Sequence, residues 1–126
     1  MTESVTLTAY RRRLATAMAG GAPISPLAFM AFGDAGHDAS LQPLPVSDEA
    51  TALNHEILRK PLTSLIQEDD LSVTGTCSIE ANEALGIGVS EAAIVGADGL
   101  LVGIQTFMPK YKDTDERYEI SIQLRY

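Results

Sequence analysis

Tyr118-Glu119-Ile120-Ser121-Ile122-Gln123-Leu124-Arg125-Tyr126 closes the sequence, and its large apolar residues fall on every second position without exception. A period of two is the signature of a strand with one face buried and one face in water. Leu71, Val73, Gly75, Cys77 and Ile79 alternate in the same way with Ser72, Thr74, Thr76, Ser78 and Glu80. Leu62–Gln67 alternates more loosely, and Glu68-Asp69-Asp70 between the two runs reads as the turn of a hairpin.

Working outward, Gly86-Ile87-Gly88-Val89 leads into a strand over Ser90–Val95, Ala97-Asp98-Gly99 supplies an Asp-Gly turn, and Leu100–Met108 returns as a strand. Pro109–Asp115 reads as a polar loop. Leu27–Phe32 is a continuous apolar run, expected as a strand buried on both faces and ended by the turn Gly33–Asp38. With Pro43 and Pro45 in it, Ala39–Val46 is expected to be irregular.

Two segments carry the helical period instead. In Ala9–Ala19, Tyr10, Leu14 and Ala17/Met18 share one stripe, with Thr8 as amino cap and Gly20-Gly21 as stop. Ser47-Asp48 offers a second cap, and Ala50, Leu53 and Ile57 suggest one or two further turns that Pro61 must end. Helix first and then strands joined by short turns gives the expected class: a single α+β domain over 1–126, on a mainly antiparallel sheet.

Composition narrows the function. Nine basic against 17 acidic residues leave a net charge of −8, which disfavours nucleic acid and anionic membranes as partners. No apolar run approaches the ~18 residues of a membrane span. The opening Met1-Thr2-Glu3-Ser4 lacks the character of a secretory signal. The single Cys77 cannot form an internal disulfide, in keeping with a reducing compartment. Residues 1–60 are nearly neutral, with five bases and six acids, while 61–126 hold four bases and eleven acids. Those acids are spread along the strands, as on a solvated sheet face.

No catalytic, metal or cofactor site emerges from the motifs. Cys77 lies on the apolar side of its strand and reads as structural, and neither His37 nor His55 is marked as its base. Asp34, His37 and Asp38 lie close together without completing an EF-hand or zinc pattern, and Gly33, Gly36, Gly86 and Gly88 form no dinucleotide fingerprint. Glu56 with Arg59 and Lys60 reads as surface pairing. Arg11, Arg12 and Arg13 sweep round the first helix, as solvated decoration or as a protein interface. Tyr111 and Tyr118 offer packing or, in a rival reading as a small carbohydrate-binding module, stacking surfaces for a sugar.

Three ordered stretches carry a resemblance. They are Met30-Ala31-Phe32-Gly33-Asp34; Thr51–Leu62, containing Leu53-Asn54-His55-Glu56-Ile57-Leu58-Arg59; and Val89-Ser90-Glu91 followed by Gly96–Leu101 and Met108-Pro109-Lys110-Tyr111-Lys112. Together they resemble the amino-terminal domain of bacteriophage tail-collar fibre proteins, also found in prophages and phage-tail-like particles. The resemblance departs at Ala93, which stands where that family usually has glycine. Members also continue into a shaft and a receptor-binding tip, whereas this sequence stops at Tyr126, so an attachment domain without a shaft is expected.

The resemblance implies a structural role, the attachment of a tail fibre to a baseplate through contacts with tail or baseplate proteins. It further implies trimeric symmetry and residence in a virion or tail-like particle made in the bacterial cytoplasm. On that reading Arg11–Arg13 and Lys110-Tyr111-Lys112 are the expected partner surfaces.

Overall fold

The computed structural model describes residues 4–80, 83, 86–111 and 117–125. In chain order they form β1 (Val5–Thr6), α1 (Thr8–Met18), β2 (Leu27–Gly33), β3 (Glu56–Pro61), β4 (Ser64–Asp69), β5 (Ser72–Ile79), β6 (Gly88–Gly96), β7 (Leu101–Tyr111) and β8 (Tyr118–Arg125). The strands make a five-stranded sheet, ordered β1-β7-β6-β2-β3, and a three-stranded sheet, ordered β4-β5-β8, antiparallel at every pairing.

The α+β class is therefore corrected. Among the described residues the protein is essentially all-β, and its one helix follows a strand rather than leading the chain. The second expected helix is absent. Ser47 starts a single turn, its carbonyl accepting from Ala50 N–H and its Oγ from Glu49 N–H, and Glu56–Pro61 then runs as β3. Helical spacing of Leu53 and Ile57 loses there because β2 has a free edge. Pairing Phe32 with Leu58 and Met30 with Lys60 satisfies backbone groups of a buried strand that a helix would leave unpaired.

The two sheets pack face to face. Met30, Phe32, Val89, Ala92, Ile94, Val102 and Phe107 from the larger meet Cys77, Ile79, Ile120, Ile122 and Leu124 from the smaller. Each of the large side chains fully buried here, such as Phe32 and Ile94, contributes about 1.5–3 kcal/mol. A second apolar layer lies on the far side of the five-stranded sheet. Leu7, Ala31, Ala93, Val95, Leu101 and Ile104 are covered there by Leu53, with Val46 and Ala50 packed against them. Both faces of β2 and β6 are thus buried, which explains why Leu27–Phe32 reads as an unbroken apolar run.

α1 is peripheral. It buries no residue, Leu7 rather than Thr8 occupies its amino-cap position, and no side chain caps it; Asp48 O accepts from Thr8 N–H instead, at 2.7 Å. Tyr10 leans on the core while Arg11, Arg12, Arg13 and Met18 are exposed. β7 runs past the expected strand end at Met108 to Tyr111. Glu91 pairs with Thr106 but Val89 pairs with Lys110, so extra residues of β7 bulge outward there, and Pro109 sits in the bulge where it interrupts no ladder. The Asp-Gly hairpin forms as expected, with Gly99 at φ +89°. At Ala93 the register stays regular, opposite Ala31 and Ile104, and its methyl is fully buried.

Candidate functional site

Ser90 and Glu91 are polar neighbours inside a buried strand, 0% and 1% exposed. A carboxylate there must be met by donors, because burying an unpaired charge is prohibitive. Three backbone N–H groups meet it. Asn54 donates to Oε1 at 2.9 Å, and His55 and Ala35 donate to Oε2 at 2.9 and 3.3 Å. Ser90 Oγ accepts from Gly36 N–H at 2.8 Å and lies 2.7 Å from His37 Nδ1.

The loops bound by this pair are also bound to each other. Asp34 N–H donates to His55 O, Asn54 Nδ2 donates to Ala35 O at 2.9 Å, and His55 Nδ1 lies 2.6 Å from Asp34 Oδ1. The fit leaves no room for a side chain at Gly33, where a Cβ would fall 2.5 Å from His55 O and against the Glu91 carboxylate.

This junction joins Gly33-Asp34, Asn54-His55 and Ser90-Glu91, one piece from each of the three stretches that carry the family resemblance. Against known proteins, the chain matches no family model, no curated protein and no solved structure.

The expected partner residues do not form one patch. Arg13 pairs with Asp98 at the turn between β6 and β7, and Arg12 lies 3.7 Å from Glu49. Lys110 and Tyr111 occupy the other end of the same hairpin, opposite Val89 and Gly88. Along the paired strand only six steps, Val89 to Val95, separate that end from the position opposite Leu101, about 20 Å at the usual rise. Lys110 Nζ sits 5.6 Å from the centre of the Phe107 ring. Lys112 lies outside the described residues.

Tyr111 is 58% exposed, yet its ring is committed to packing, since a Cβ at Gly88 would fall 2.7 Å from it. The Tyr118 hydroxyl donates to Tyr111 O at 2.9 Å. The neighbouring cleft is lined by Phe107, Lys110, Glu119 and Ile120 among others.

Other candidates disperse. Asp34 turns to His55 and His37 to Ser90, while the Asp38 carboxylate takes the N–H groups of Ser40 and Gln42. Among the described residues no three metal-ligating side chains converge. The Cys77 thiol is fully buried, and burial pushes its pKa up, so it stays protonated at neutral pH. Glu56 pairs with Arg59 as expected, holding the guanidinium charge more firmly through its hydrogen bonds, whereas Lys60 reaches Ser78 O and Glu83 instead.

Glu91 departs from the solvated sheet face expected for the acids of 61–126: it is the one charge in Gly86–Ala97, and it is buried. A lone acid in a strand otherwise apolar on both faces has nowhere to go but inside.

Proposed function

We propose that this protein is a structural attachment module of a phage tail or phage-tail-like particle, joining a tail fibre to the baseplate by protein–protein contacts. The observation that carries the reading is the junction around Glu91. Three stretches distant in sequence, which together resemble the tail-collar fibre family, interlock there through one carboxylate. A link under mechanical load needs such a rigid joint. The basic residues at opposite ends of the β6–β7 hairpin also suit a module that touches two partners. Trimeric symmetry belongs to the same proposal.

The test is assembly. A tagged chain expressed in its own host is expected to co-sediment with purified tails. Reversing Arg11 and Arg12, or Lys110, to glutamate is expected to reduce that association several-fold while leaving the thermal unfolding curve in place. A chain that stays wholly in the soluble fraction, or variants that assemble undiminished, would overturn the reading.

A further inference from the structure

The three-stranded sheet ends in a strand that is exposed at all six positions. Such an edge presents a row of backbone N–H and C=O groups with no strand beside it, and natural proteins shield edges with proline, lysine or paired charges. The free edge of the larger sheet, β3, follows that practice with Pro61, Lys60 and the Glu56–Arg59 pair. β4 has no proline and no cation. Its ladder with β5 is regular from Ser64 to Gln67, and the register shifts only after that. Over this length it offers Leu65 and Ile66, 44% and 55% exposed, with Leu71, 64% exposed, at its turn.

Its charge is one-sided. Glu68, Asp69 and Asp70 end the strand, and residues 61–109 contain no lysine, arginine or histidine. Asp69 Oδ1 accepts from Leu71 N–H at 2.8 Å and feels Arg125, while Glu68 and Asp70 have no ion-pair partner among the described residues.

We propose that the β4 edge docks an extended, basic segment of a partner protein, which adds as a fourth strand beside Ser64–Gln67. Backbone hydrogen bonds supply the attachment, apolar side chains of the guest cover Leu65 and Ile66, and lysine or arginine meets Glu68–Asp70. Self-pairing of two copies over Ser64–Gln67 would bring no cation to Glu68–Asp70 of either copy, since β4 and its turn carry none. Charge complementarity therefore selects a basic guest over a second copy. The proposal does not depend on the phage-tail reading.

The probe is a ten-residue peptide with a central run of valines flanked by lysines, titrated into the isotope-labelled full chain. Slower amide exchange and shifted resonances are expected within 64–71. Methylating alternate peptide nitrogens, which keeps the charge and removes the strand hydrogen bonds, should weaken binding about tenfold or more. Raising salt from about 0.05 to 0.5 M should weaken it as well. Ile66→Lys should cut the affinity without shifting the unfolding midpoint, since Ile66 is exposed. The proposal is overturned by no binding, by equal binding of the methylated peptide, by protection elsewhere on the surface, or by a concentration-dependent dimer formed through β4.

Discussion

Replacing Glu91 tests whether one carboxylate holds the junction together. Glu91→Ala removes the acceptor of three N–H bonds, from Ala35, Asn54 and His55. A hydrogen bond to a charged group contributes about 1.5–3 kcal/mol when buried, and an orphaned buried donor costs about 1–3 kcal/mol. Asn54 and His55 belong to exposed residues, so water recovers part of the loss. About 1 kcal/mol per donor is the appropriate figure, with a further fraction for the space vacated in a strand buried on both faces. The total is about 3–4 kcal/mol, a large share of the ~5–15 kcal/mol that holds a domain together.

Glu91→Gln is the sharper variant. Its single oxygen can serve either the Asn54 side or the His55–Ala35 side, never both, because the amide nitrogen would face a donor. A loss of about 1–2 kcal/mol is expected, clearly smaller than for alanine. Urea unfolding followed by circular dichroism gives both values, and native-state hydrogen exchange locates the damage. The amides of Ala35, Asn54 and His55 should lose protection first, with the β5–β8 ladder following only at global unfolding. An alanine variant within about 1 kcal/mol of the parent would refute the reasoning. So would a glutamine variant as damaging as alanine, or unchanged exchange at those three amides.

Two further outcomes follow from side-chain environments. The Asp98 carboxyl is held below the usual range first by Leu100 N–H and then by the Arg13 guanidinium, so its stabilisation is complete above the unfolded pKa of about 4 and is lost as pH falls through the lower folded value. Asp98→Asn should therefore lower stability at pH 6 and flatten its decline in acid, as measured by thermal unfolding between about pH 6 and 2. Cys77, buried with a raised pKa, should react with a thiol reagent only as fast as the chain opens, and Cys77→Ala should cost stability through a small cavity; fast labelling of the folded protein would contradict this.

By itself the sequence determined the strands whose periodicity is local. The alternation of Tyr118–Arg125 and Ser72–Ile79, the two-sided apolar run at Leu27–Phe32 and the Asp-Gly turn at 98–99 all specify their own geometry, because burial on one or two faces fixes the residue pattern. Tertiary structure decided what depended on a distant partner. Glu56–Pro61 is a strand only because β2 needs an edge neighbour, and Pro109 stays in a strand only because β7 bulges opposite Val89–Glu91. Glu91 becomes a joint only once two loops, one near residue 35 and one near residue 54, aim their N–H groups at it. Arg13 and Lys110, from the two expected partner surfaces, lie towards opposite ends of the β6–β7 hairpin because a hairpin separates its turn from its open end by its own length. Side-chain pattern is written along the chain, whereas the satisfaction of backbone groups is settled across it.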